Sequence, residues 1–300
     1  MLRVSLLGER TVTDEATGEV RSRSSRTLAL IAYLAVHAGV PQPRARIAAT
    51  FWPDSPEQQA LTNLRRELHQ LRRTLDDDGS LLVTGSDLTW RDRDTCRVDL
   101  RDFRRARERA LAAAPGDAEA VLEHGEVALA AYRGELLPGL YDDWTVAERD
   151  RLTVECVELC ALVADAGRRA GRWSVALASA RRRVELAPLE EAGHRDLIRL
   201  HARRGDRAAA VSAYHRCATI LDHELGIEPD AETRRLLADL VDPSPSRPHA
   251  VDGTVGASVG FIGRREELHS LTTVMDEAFT GAVRAAPRPP PGRRAPRTRR

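Results

Sequence analysis

The sequence predicts a mainly α protein, with an N-terminal winged helix-turn-helix (α+β) followed by an all-α, tetratricopeptide-like helical repeat domain. Three observations predict it. Short alternating strands, three helical segments and a hairpin follow one another in residues 1–95. Helical character then continues from 98 to about 240, and within that run a pattern recurs at a shift of 34 residues.

Each element has a local reason. Leu2-Arg3-Val4-Ser5-Leu6-Leu7 alternates as a half-buried strand does, Gly8 breaks it, and Thr11-Val12-Thr13 and Glu19-Val20-Arg21 flank a turn at Thr17-Gly18. Residues 24–38 read as a helix with Ser24 or Ser25 as N-cap and Gly39 as its stop. Its middle (Leu28, Leu30, Ile31, Tyr33, Leu34, Val36) is apolar nearly all round, the mark of a helix at the centre of a small domain. Pro41 and Pro43 punctuate, and Arg44–Phe51 is a short second helix.

The third helix is the most legible. Ser55 is placed to cap it, Pro56 suits the first helical position, and Glu57 complements the positive end of the helix dipole. Leu61, Leu64, Leu68, Leu71 and Leu75 form one stripe. With Leu64 at zero and about 100° per residue, Thr62, Arg66, His69 and Arg73 fall at about 160°, 200°, 140° and 180°, opposite the leucines. Asp76 to Gly79 ends the helix, and strands at 81–84 and 88–91 read as a hairpin around Gly85-Ser86-Asp87.

Beyond it, helices are expected at 99–114, 117–132, 144–170, 173–187, 190–204, 207–224 and 230–240. Gly171-Arg172-Trp173 recurs as Gly205-Asp206-Arg207, and Ala176-Leu177 as Ala210-Val211, the period of a tetratricopeptide helix pair. The expected organisation is a winged domain at 1–95, a helical domain at 96–241, a Pro/Ser/Gly linker at 242–260, a short segment at 261–282, and a Pro/Arg tail at 283–300 unable to pack a core.

Composition narrows the function. Three hundred residues, 42 % of them hydrophobic, suffice for two folded units. No apolar run approaches the ~20 residues that span a bilayer, and residues 2–7, interrupted by Arg3, are too short for a signal peptide. Cys96, Cys156, Cys160 and Cys217 are sparse and unpatterned, which points to a reducing cytoplasm. All 46 cationic side chains are arginine. Seven lie in residues 283–300, and removing them from the net +1 leaves −6. Bulk charge therefore does not favour nucleic acid, and DNA binding must rest on a local surface.

That surface is the outer face of the third helix. In a winged helix-turn-helix this helix enters the major groove, about 12 Å wide, and its polar face meets base edges and phosphates. Arg66 and Arg73 suit guanine edges or phosphates, Thr62, His69 and Gln70 suit bases, and Arg65 and Arg72 flank the face. Arg91 and Arg93 are weaker candidates for phosphate contact. The same residues also fit a solvated charged face with no ligand, and residues 1–95 hold 13 arginines against 13 acids. The competing class is thus a helical-repeat interaction scaffold without DNA binding. The strands before the helix and the hairpin after it favour DNA.

Nothing points to catalysis. Cys156 and Cys160 lie one turn apart without further ligands, and His194, His201, His215 and His223 lack metal spacing. Gly256, Gly260 and Gly263 cannot form a Walker loop because the chain has no lysine, and no nucleophile elbow occurs. No enzyme activity, metal or cofactor is expected.

Trp52-Pro53-Asp54-Ser55 leading into the run from Thr62 to Arg73 resembles the DNA-binding domain of SARP-type antibiotic regulatory proteins, a response-regulator-type winged helix. Residues 132–137 with Tyr141-Asp142-Asp143-Trp144, and later Leu200-His201 through Gly205-Asp206-Arg207-Ala208 to 224–229, resemble the bacterial transcriptional activator domain (BTAD) that follows in that family. The resemblance spans about 1–240. It implies a cytoplasmic bacterial activator that binds double-stranded promoter DNA and helps recruit RNA polymerase, with the helical domain supporting homodimerisation. No membrane is implied as a partner. Residues 261–268 further resemble the entry to the ATPase module of larger members. No nucleotide motif follows, so ATP is not carried over, and a truncated or frame-shifted gene product is the expectation.

Overall fold

The computed structural model describes residues 1–76 and 78–241. The expected linker, the 261–282 segment, Gly256, Gly260 and Gly263, and the Pro/Arg tail lie outside the described residues.

Strand β1 (Leu2–Ser5) pairs antiparallel with β2 (Thr11–Asp14), which pairs with β3 (Val20–Ser22). On its other side β1 pairs in parallel with β7 (Cys96–Val98), in register Leu2↔Cys96 and Val4↔Val98, so the four-stranded order is β3-β2-β1-β7. Helix α1 (Ser25–Val36) starts at Ser24, whose hydroxyl accepts from the Thr27 amide. Every residue from Thr27 to Ala35 is buried, as an all-round apolar pattern requires. Helix α2 (Arg44–Phe51) has the expected bounds. A second sheet, β4-β6-β5, joins Gln42–Pro43 to the hairpin of β5 (Leu81–Val83) and β6 (Asp87–Trp90).

Seven helices follow: α4 (Asp99–Leu111), α5 (Ala118–Ala131), α6 (Asp143–Arg169), α7 (Trp173–Leu186), α8 (Glu191–Arg203), α9 (Arg207–Leu225) and α10 (Ala231–Val241). Each falls where the sequence places it. Gly171 and Gly205, with φ of +70° and +75°, make the equivalent left-handed turns into α7 and α9, 34 residues apart. Asp206 caps α9 by accepting from the Ala209 amide.

One core runs from the first sheet through α1, α2 and α3 (Glu57–Leu75) into α4, α5 and α6, and a smaller one unites α7, α8 and α9. Three devices make the first core continuous. Asp99, opening α4, accepts from the Leu6 amide at 2.9 Å and the Leu7 amide at 3.0 Å. Burial pushes its carboxyl up to about 6 against the lowering effect of these bonds. Leu7 also bridges Leu136 in the α5–α6 connector, and a Cβ on Gly134 there would stand 2.9 Å from the Gly8 Cα, so the two chains pass backbone to backbone. Finally, Trp144 in the first turn of α6 packs against Tyr33 at 5.4 Å and Phe51 at 5.8 Å between ring centroids.

The buried Arg149 holds this connector in shape by donating to the carbonyls of Leu136 (2.7 Å), Leu137 (2.6 Å) and Leu140 (2.6 Å). The starts of α3 and α6 lack a side-chain cap. Pro56, not Ser55, occupies the N-cap of α3, and no side chain caps that end. Asp142 occupies the N-cap of α6 without a capping hydrogen bond. His194 and His201 are buried, and His194 Nε2 meets the Pro188 carbonyl oxygen at 2.8 Å.

Candidate nucleic-acid interface

The interface candidate is the outer face of α3 (Glu57–Leu75). At about 1.5 Å per residue this helix is roughly 28 Å long, and a groove about 12 Å wide admits it. Leu64, Leu68, Leu71 and Leu75 are buried beneath it with Ala60 and Thr74, and Leu61 packs at the margin. The leucine stripe fixes the rotation of the helix. Consequently Arg65, Arg66, His69, Gln70 and Arg73 all face solvent.

Thr62 differs. It is half-buried, and its hydroxyl donates to the Gln58 carbonyl at 2.8 Å, which leaves only its lone pairs for a partner. The guanidiniums of Arg65, Arg66 and Arg73 have no hydrogen bond or ion pair among the described residues. This contrasts with the helical domain, where Arg104 meets Glu148 and Glu155, and Arg195 meets Asp230 at 2.8 Å. The acids of α3 do not offset the face. On the same helical wheel Glu57 and Glu67 fall at about 20° and 300°, on or beside the leucine side. Near-neutral composition therefore conceals a locally cationic strip. Arg72 and Arg73 also sit in the last turn, where the helix dipole favours cations.

The hairpin stands beside this helix in the chain and is braced by its own turn. The Asp87 amide donates to Thr84 Oγ1 at 2.9 Å, and the Thr84 amide donates to the Asp87 carbonyl at 3.0 Å. Thr84, Gly85 and Ser86 are exposed at the tip. Sequence reasoning missed how the tip is held: the Arg44 amide, opening α2, donates to the Ser86 carbonyl at 2.8 Å. Arg44 is half-buried and Arg46 exposed, and neither side chain has a partner among the described residues. The Pro41-Gln42-Pro43-Arg44-Ala45-Arg46 run was the available signal. Arg93 leans back on the Gly79 carbonyl at 3.5 Å, whereas Arg91 is exposed.

Among the described residues no cluster of His, Cys, Asp and Glu could hold a metal ion, and no helix is long and apolar enough to cross a membrane. All four cysteines are free and buried. Burial pushes the Cys96 thiol up to about 12 and the Cys217 thiol to about 11.

A winged helix joined through a shared core to a tetratricopeptide-like helical domain defines the chain as a transcriptional regulator in architecture. Comparison with known proteins agrees. Residues 98–240 match the bacterial transcriptional activator domain. The transcriptional regulatory protein MoaR1 of Mycobacterium tuberculosis is 30 % identical over 208 residues, 66 % of each chain, and the Mycobacterium bovis MoaR1 matches over the same span. This chain thus spans about two thirds of the length of these relatives. The solved structure of Mycobacterium tuberculosis EmbR, in complex with a low-affinity phosphopeptide, superposes with a TM-score of 0.64 at 24 % identity, covering 82 % of this chain and 66 % of that one. That likeness establishes the fold. The chain thus carries a bacterial transcriptional activator domain and is similar to transcriptional regulators, as its resemblance to SARP-type proteins implies. Both MoaR1 relatives carry the description of transcriptional regulatory proteins.

Proposed function

We propose that this protein is a cytoplasmic, sequence-specific DNA-binding activator that reads double-stranded promoter DNA with α3. Arg65, Arg66 and Arg73 supply cationic forks for phosphates or guanine edges, and His69, Gln70 and Thr62 supply the remaining polar contacts. The hairpin tip, tied to the start of α2 by the Arg44 amide, is a further candidate for backbone contact. The helical domain carries the contacts to RNA polymerase and to a second copy of the chain, as the resemblance to its family implies. The observation that carries the reading is the exposed face of α3, with three guanidiniums in one strip that have no partner among the described residues while Glu57 and Glu67 lie elsewhere.

The balance of 13 arginines against 13 acids in residues 1–95 favours a second reading, an interaction scaffold that does not bind DNA. Selection of duplexes from a random library, followed by gel-shift titration at several salt concentrations, separates the two. Both the full chain and a chain ending at Val241 are titrated, because the arginine-rich tail alone would retain DNA non-specifically. Enrichment of a defined sequence by both, with affinity falling linearly in log salt, supports the proposal. Failure of the shorter chain to enrich any sequence overturns it.

A further inference from the structure

A cleft of about 660 Å³ opens between the end of α5, the start of the α5–α6 connector and the second half of α7. Its floor is apolar, with Leu129, Ala178 and Leu186 contributing and the ring of Tyr132 beside them. Arg133, Arg181 and Arg182 also line it, with Glu185 as the single carboxylate among the lining residues. The three arginines are not equivalent. Arg182 is committed to structure: it donates to the Leu129 carbonyl at 2.8 Å and to the Tyr132 carbonyl, and it lies 5.7 Å from the centre of the Tyr132 ring. Arg133 and Arg181 are exposed and have neither a hydrogen bond nor an ion pair among the described residues.

Small-molecule sites are typically concave, roughly 300–1,000 Å³, mostly apolar, and equipped with a few convergent polar groups. This cleft falls in that size range, it is open to solvent over an apolar floor, and its excess charge is positive. A guanidinium offers a planar fork that matches carboxylate and phosphate oxygens. We propose that the cleft binds a small organic anion, with its carboxylate or phosphate held by Arg133 and Arg181 and its apolar body against Leu129, Ala178 and Leu186. Glu185 disfavours a cation-free inorganic ion of high charge and leaves an amphipathic monoanion or dianion as the fitting class. The site adjoins the connector that meets the first sheet, since the Gly8 amide donates to the Glu135 carbonyl at 2.9 Å. The proposal does not rest on the DNA-binding reading.

The test uses the full chain and 8-anilinonaphthalene-1-sulfonate as a fluorescent amphipathic anion. Unlabelled 1-naphthoate, 1-naphthyl phosphate and neutral 1-naphthalenemethanol then compete with it. The expected result is saturable one-to-one binding, displaced by the carboxylate or the phosphate and not by the alcohol. Which anion displaces better identifies the preferred headgroup. The Arg133→Gln/Arg181→Gln variant, both positions exposed and unpaired, is expected to weaken binding by about tenfold or more, the loss of charged hydrogen bonds. Ala178→Trp, also at an exposed position, fills the cleft and is expected to abolish binding, with circular dichroism reporting the fold of both variants. Absence of saturable binding, equal displacement by the alcohol, or wild-type affinity in the folded glutamine variant each overturns the proposal. If one variant does not fold, the other and the competitor series still decide it.

Discussion

Replacing Arg66 with alanine isolates what the outer face of α3 contributes. Arg66 is exposed and has no partner among the described residues, so its removal strands no buried group and breaks no ion pair. Alanine is at least as good a helix former, and an exposed substitution of this kind shifts stability by no more than about 0.5 kcal/mol. The whole effect should therefore fall on binding. A base-edge contact is worth about 1–3 kcal/mol, or roughly 5- to 150-fold in Kd. The assay is fluorescence anisotropy of a labelled duplex obtained by library selection, titrated with wild type and variant across a salt series. Thermal unfolding is run alongside. If Arg66 pairs with a guanine edge, discrimination relaxes at one position while the salt slope holds. If it pairs with a phosphate, selected and random duplexes weaken together and the slope shrinks by about 0.9. An unchanged Kd for the selected duplex, with an unchanged unfolding midpoint, would refute the assignment.

Three further outcomes are expected. Trp144→Ala empties an aromatic cluster shared by α1, α2 and α6, and should destabilise the chain by about 3 kcal/mol, read from the urea midpoint; no change would remove Trp144 as a joint between the winged fold and the helices. Asp99, with its carboxyl raised to about 6, retains a proton in the native state over a range where the unfolded chain, near 3.8, has released it. Its contribution is present below the unfolded value and lost as pH rises through about 6, at most about 3 kcal/mol, so wild-type stability should fall relative to Asp99→Asn between pH 4 and 7. Parallel pH profiles for the two proteins would contradict this. Lastly, a thiol reagent should modify none of the four cysteines in the native protein and all four in denaturant, because each is buried; rapid native labelling would show that a helix opens.

Periodicity fixed much of this molecule in advance. The all-round apolar run at 28–36 fits a helix at the centre of a small domain, and α1 is buried from Thr27 to Ala35. The leucine spacing in α3 set which side chains face out, because a helix of 3.6 residues per turn leaves no freedom once one stripe is buried. The recurrence at 34 residues foretold the turns at Gly171 and Gly205. Cap chemistry was less legible. Ser55 has the right side chain, yet the chain enters α3 one residue later, and the cap position falls to Pro56.

What sequence alone could not provide were the non-local pairings. The sequence places residues 96–98 at the head of the helical domain, but they form β7, the strand that completes the first sheet by lying parallel to β1. A three-residue strand has no periodicity of its own, and its partner lies 94 residues away in sequence. In the same way Gln42 and Pro43 become β4 only because β6 is there to pair with them. Asp99, Arg149 and Trp144 look like an ordinary acid, base and aromatic in the chain. Folding makes them the joint between the two halves, since only three-dimensional proximity brings the Leu6 and Leu7 amides, three connector carbonyls and the rings of Tyr33 and Phe51 to meet them. Local pattern thus determined the elements and their faces. Long-range hydrogen bonding and packing, whose partners no local window contains, decided how those elements share one core.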